Sequence, residues 1–167
     1  MQPVLLDSSV YIGAMRRGKQ DSMTSIRRLG QDAPLWLSAV VLEELYSGAR
    51  GKALRAVERL DRDFSKIGRL LVPTLSDWRE TGRLLSELAQ RYGYETVGRT
   101  RLTNDALIAM SARRVGITIL TWNRRDFARL AEIRVFKWQL AAETGEVSAV
   151  RFGVQALAFA GTVQRKG

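Results

Sequence analysis

Gly116-Ile117-Thr118-Ile119-Leu120-Thr121-Trp122-Asn123 is the stretch whose reading decides the fold. Its β-branched, apolar centre lies between a glycine and an asparagine, which predicts a short buried strand over 117–121. Before it, Thr103 or Asn104 caps a helix that runs to about Arg114 and stops at Gly116. After it come a short helical turn holding Phe127 and Leu130 and a last strand over Ile133-Arg134-Val135-Phe136. The same alternation extends toward the N-terminus. Val4-Leu5-Leu6, Leu35-Trp36-Leu37 and Leu70-Leu71-Val72 read as strands. Helical stretches follow from Asp7 to about Arg17, from about Ser22 to Leu29, through Leu42, Leu45, Tyr46 and Ala49, through Leu54 to Phe64, and from a Ser76 cap to about Tyr92. Residues 93–101, with two Gly and two Arg, read as a loop. Strands separated by helices define an α/β domain with a mostly parallel sheet and helices on both faces.

The length of 167 residues fits one domain, and 46% hydrophobic residues suffice for an ordinary core. The chain contains no Cys and no His. That excludes a disulfide framework, a thiolate or imidazole zinc site, and any catalytic triad or dyad built on histidine. Chemistry must then run on carboxylates, hydroxyls, Lys/Arg or a metal held by oxygen. Lys+Arg outnumber Asp+Glu by 27 to 17, a formal net charge of +10, and 22 of the 27 are Arg. The planar guanidinium suits phosphate oxygens, so nucleic acid is the first partner to consider, with Arg-rich coding in a GC-rich genome as the plain alternative. Asp7 interrupts the first apolar run, and the stretch from Phe152 to Val163 falls short of the ~20 residues a spanning helix needs. A cytoplasmic protein without membrane contact is the expectation.

Three acids, Asp7, Asp105 and Asp126, fall where strands end and helices begin, and a fourth, Glu44, comes from a neighbouring helix. Asp7 follows the first strand, at the edge where open α/β sheets bind ligands, although an Asp there also caps the next helix. Glu43 and Glu44 are separated by about 100° around their helix. Glu44 shares a stripe with Val40, Val41 and Gly48, whereas Glu43 lines up with Ser47 and Arg50. Glu44 is therefore the inward candidate, with Gly48 leaving room beside it. Asp105 stands in the first turn of its helix in line with Ile108, Ala109 and Ala112, where a carboxylate is either a helix-dipole partner or needs a cation. Asp126 follows Asn123 by three residues, a spacing that also suits a capping box. Four carboxylates meeting at one edge cannot all stay ionised without a cation. Oxygen ligands alone select Mg²⁺ or Mn²⁺, and with a basic chain the chemistry expected is phosphodiester hydrolysis.

Four blocks, Leu5-Leu6-Asp7-Ser8-Ser9-Val10-Tyr11-Ile12, Ser38 through Ala49, Asn104-Asp105-Ala106-Leu107-Ile108-Ala109 and Leu120-Thr121-Trp122-Asn123-Arg124-Arg125-Asp126-Phe127, resemble in order and spacing those of PIN-domain ribonucleases. They are most similar to the VapC-type toxins of bacterial type II toxin–antitoxin systems. The resemblance covers roughly residues 3–138. It implies a three-layer α/β/α fold, Mg²⁺ or Mn²⁺ dependence, endonucleolytic cleavage of RNA, a homodimer, and an antitoxin whose tail blocks the site. It places the first three catalytic, metal-holding acids on Asp7, Glu44 and Asp105. The fourth falls on Asn123 or Asp126; Asp126 keeps the charge, which makes Asn123 a neutral helper. Ser9 stands where many relatives have Asn, and Thr121 is positioned to orient an acid through its hydroxyl. Arg99, Arg101, Arg124 and Arg125 bracket the third and fourth blocks and are the candidates for RNA phosphates. The resemblance thus divides the chain into a nuclease domain over 1–140 and a C-terminal extension over 141–167. In that extension Val150, Phe152, Val154 and Ala156 alternate like a strand, while its alanines tolerate a helix. Two alternatives stand beside the toxin: a PIN nuclease of RNA processing or of structured DNA, and a non-catalytic basic RNA-binding α/β protein whose acids are only caps.

Overall fold

A computed structural model describes residues 2–16, 26, 33–93 and 101–141. Val4-Leu5-Leu6, buried throughout, forms β1 (Val4–Leu6) at the centre of a five-stranded sheet. Leading from it are α1 (Ser8–Arg16), β2 (Leu35–Ser38), α2 (Ala39–Gly48), α3 (Lys52–Lys66) and β3 (Leu70–Leu71). The second half supplies α4 (Leu75–Tyr92), α5 (Arg101–Val115), β4 (Thr118–Thr121), α6 (Arg124–Ile133) and β5 (Trp138–Leu140). The strand order is β3-β2-β1-β4-β5, and every pairing is parallel.

This order determines which helices share a face. The chain moves outward from β1 to β2 and β3, then crosses back to β4 and on to β5. Right-handed crossovers running in opposite directions cover opposite faces of a sheet. Accordingly α1 packs on α2 and α2 on α3, whereas α4, α5 and α6 pack on one another. The result is the α/β/α arrangement expected from the alternation of strands and helices. Its core holds the buried side chains of β1 and β4, Val41 and Leu45 of α2, Leu84 and Leu88 of α4, and α5 from Ala106 to Ala112. Ile26, helical and buried, belongs to it too; the rest of the helix expected over 22–29 lies outside the described residues.

Several boundaries differ from the sequence expectation. The start of α4 is capped by Thr74, not Ser76: Thr74 Oγ1 accepts from the Asp77 amide, and the Asp77 carboxylate accepts in return from the Thr74 amide at 2.8 Å. Asp77 also receives Arg114 Nε at 3.0 Å, so a tertiary ion pair reinforces the earlier start. The last strand is Trp138–Leu140, whereas Ile133 ends α6. Ile119 and Leu120 of β4 pair with Trp138 and Gln139, and Phe136 instead packs edge-on against Phe127 at 6.3 Å. A short apolar run is shared by helix ends and strands alike, so its period could not decide between them. The expected helical turn at Phe127 is a full helix of 10 residues.

The most consequential difference concerns α5, which begins at Arg101. Thr103 and Asn104 are therefore inside the helix and neither caps it. Asp105 lies beyond the first turn, which removes the helix-dipole explanation for a carboxylate there. Residues 94–100 of the expected loop, with Arg99, lie outside the described residues, as does the side chain of Arg101. The same holds for the C-terminal extension beyond Ala141.

Candidate active site

The edge at which β1 and β4 end is the point where the chain's course across the sheet reverses, and crevices in open α/β folds form at such points. Asp7 leaves β1 there and is almost fully buried, its amide donating to the Leu120 carbonyl at 2.9 Å. Its Oδ2 accepts from the Ser9 hydroxyl at 2.7 Å and from the Thr121 hydroxyl at 2.9 Å. The capping bond from the Ser9 amide is long, 3.4 Å, so the two hydroxyls hold this carboxylate more firmly than the helix start does. Ser9 Oγ in turn accepts from the Trp122 amide at 3.1 Å, and Thr121 Oγ1 from the Asn123 amide at 2.9 Å. Both hydroxyls thus lock the segment after β4 onto the segment after β1. Asp7 Oδ1 is buried and has no hydrogen-bond partner among the described residues.

The turn after β4 carries the next contacts. Asn123 caps α6, its Oδ1 accepting from the Asp126 amide at 3.4 Å. Its Nδ2 is shared between two acids, donating to Asp105 Oδ2 at 3.0 Å and to Asp126 Oδ2 at 2.9 Å. Asn123 is therefore a true N-cap but not half of a capping box, since its backbone amide donates to Thr121 and not to Asp126; its side chain also draws Asp105 and Asp126 together. Asp105, 5% exposed, reaches this point from the interior of α5.

Glu44 comes from α2. It is half-buried while Glu43 is exposed, as the helical stripe required. Asn104 Nδ2 donates to Glu44 Oε1 at 3.0 Å, joining α2 to α5 one residue before Asp105. Glu44 Oε2 is the second buried carboxylate oxygen without a partner among the described residues. Gly48 is exposed, and a Cβ there would meet nothing within 4 Å, so no close neighbour takes up the room it leaves.

The four acids are thus linked through hydroxyls and amides and not by direct contact. Among the described residues no three acids stand close enough to form a metal cage unaided. The donor chemistry nevertheless suits a divalent cation. Asp7 Oδ1 and Glu44 Oε2 are buried acceptors without a donor among the described residues, a costly state that a cation relieves, and the chain offers no imidazole or thiolate to compete. Arg124 and Arg125 are exposed and open α6 immediately after Asn123.

Three residues of the site escaped sequence reasoning. Asn104 was visible only as a capping candidate. Trp122 lies against α1, and its indole Nε1 donates to the Ala141 carbonyl at 3.0 Å. Gly13 makes this possible, because a Cβ there would stand 2.0 Å from the Trp122 ring. A glycine inside a helical pattern is the one signal that pointed to such an approach.

The PIN domain family profile matches residues 4–133. Among solved structures, VapBC2 from Rickettsia felis, bound to a DNA fragment from its promoter, is similar at 22% identity and a TM-score of 0.60, over 84% of this chain and 99% of that one. DNA-bound VapBC from Salmonella typhimurium is similar at 25% identity and a TM-score of 0.58, over 84% and 98%. VapBC-1 from nontypeable Haemophilus influenzae follows at 22% and 0.57, over 82% and 96%. No curated protein sequence matches. Among the described residues no helix is long and apolar enough to cross a membrane.

Proposed function

The chain belongs to the PIN-domain family, and from that premise we propose that it is a Mg²⁺- or Mn²⁺-dependent endoribonuclease, the toxin of a type II toxin–antitoxin pair acting in the cytoplasm. The observation that carries this reading is the pair of buried carboxylate oxygens, Asp7 Oδ1 and Glu44 Oε2, that have no donor among the described residues, beside Asp105 and Asp126, which share the Asn123 amide. Asp7, Glu44, Asp105 and Asp126 are the residues that would hold the ion. When bound, it supplies activation of water and neutralisation of charge on the phosphate.

The chain's own groups do the rest. Ser9 and Thr121 restrain Asp7 through Oδ2 and leave Oδ1 uncommitted. Asn123 holds Asp105 and Asp126 at one point without adding charge. Arg124 and Arg125 stand in the first turn of α6, where the helix dipole disfavours cations. Their placement there serves a neighbouring anion, the RNA phosphate, better than it serves the helix. The likeness to VapBC assemblies supports an antitoxin protein as partner; a homodimer is proposed beside it as what the family resemblance implies.

The test is incubation of the purified chain with total RNA, with Mg²⁺ or Mn²⁺ and with EDTA, and mapping of the cut ends. Metal-dependent cuts in single-stranded or loop RNA are expected, and cleavage that survives EDTA overturns the reading. One observation favours the non-catalytic alternative: Asn123 and Asp126 already satisfy each other as a helix cap. That alternative predicts RNA binding without cleavage under every metal condition.

A further inference from the structure

We propose that Asn104 is the positioning residue of Glu44, holding one carboxylate oxygen so that the other stays available to a divalent cation; this rests on the function proposed above. Asn104 Nδ2 donates to Glu44 Oε1 at 3.0 Å, from a residue 60 positions away in sequence, while Glu44 Oε2 stays buried without a partner among the described residues. A carboxylate only accepts, so the amide must face it with its nitrogen. An unrestrained Glu loses rotamer freedom when fixed, and a hydrogen bond present before the ion arrives lowers that cost at binding.

The chemical type of the donor matters as much as its place. An Arg or Lys at 104 would neutralise Glu44 and compete with the cation. An amide restrains the carboxylate and leaves its full negative charge. Because Asn104 is the chain neighbour of Asp105, the same turn of α5 that carries the third acid also orients the second. A plain tie between α2 and α5 would need no orphaned oxygen beside it.

The experiment measures Mn²⁺ affinity by titration calorimetry, and thermal unfolding in EDTA, on the full chain, three single variants and one double variant. Asn104→Leu keeps the branched side chain with the same number of heavy atoms and has no donor. Asn104→Ala repeats the measurement with a better helix former, which keeps the test valid should the first variant fold poorly. Glu44→Gln is the control. Both Asn104 variants should bind Mn²⁺ roughly 10-fold more weakly or worse, as removal of a group that orients a metal ligand generally does. Their unfolding midpoints in EDTA should stay near wild type, and adding Asn104→Leu to Glu44→Gln should change affinity by less than about twofold. Affinity within about twofold of wild type in the Asn104 variants, with Glu44→Gln impaired, overturns the positioning role alone. So does a lowered midpoint in EDTA with unchanged affinity. Glu44→Gln binding Mn²⁺ as wild type does removes Glu44 from the metal site, and this inference with it.

Discussion

Glu43 and Glu44 are chemically identical neighbours with different surroundings. The first is exposed; the second is half-buried, bonded to Asn104, and holds one oxygen without a donor among the described residues. Glu44→Gln should lower RNA cleavage roughly 100-fold, equivalent to about 2.7 kcal/mol of lost transition-state stabilisation, while Glu43→Gln stays within a few-fold of wild type. Initial rates on one RNA substrate check both, and the reverse order would mean that α2 is rotated from the orientation described. Asp105 allows a sharper separation of catalysis from binding. Asp105→Asn removes one charge with little change of shape, so metal-free RNA affinity should persist or rise while cleavage and growth inhibition disappear. Retained cleavage in that variant takes Asp105 out of the site. Stability need not suffer, since a carboxylate buried inside α5 makes no contribution as a first-turn dipole partner.

Two contacts between elements separate the site from the scaffold. Trp122 packs on α1 at Gly13 while its backbone amide bonds Ser9, so a side chain at 13 must push the turn after β4 away from Asp7. Gly13→Ala should cost about 1–3 kcal/mol by urea unfolding and lower cleavage as well, despite the higher helix propensity of Ala. A variant stabilised by the substitution would show that the ring moves aside freely. The second contact joins α4 to α5 through Asp77, which is buried, closes the capping box with Thr74 and meets Arg114. Arg114 keeps part of its side chain in water, so Asp77→Ala should cost about 3 kcal/mol, the low end for breaking a buried pair. The same variant, measured at a temperature where it stays folded, should cleave RNA normally, because this ion pair is remote from Asp7.

Across the chain, the proposed function gives the net charge of +10 and the acidic candidate site separate tasks, acids for the metal and arginines for the phosphates. Replacing Arg99, Arg101, Arg124 and Arg125 together with Gln should weaken RNA binding and reduce its salt dependence, by roughly 0.7 in log–log slope for each phosphate no longer neutralised. Binding isotherms at several salt concentrations measure this, and an unchanged slope would make the four ordinary surface charges. The fold places Arg124 and Arg125 beside Asn123 by starting α6 there.

How much of this was legible in the chain depends on the range of the interaction. The absence of Cys and His, the basic balance, the strand ends at Asp7 and Thr121, and the inward turn of Glu44 follow from residue chemistry and from the periods of strand and helix, which are local. The strand at Trp138, the start of α5 at Arg101 and the cap at Thr74 were decided beyond the local pattern, with distant partners visible for two of them: β4 for the first and Arg114 for the last. The same is true inside the site. The chain alone placed Asp7 at a strand end and Asp126 at a helix start, whereas Asp105 proved to lie beyond the first turn of α5. Only the tertiary structure decided that hydroxyls hold Asp7, that one amide joins Asp105 to Asp126, and that another orients Glu44. Hydrogen bonds act over about 3 Å, and no pattern along the chain reports which distant residues come that close.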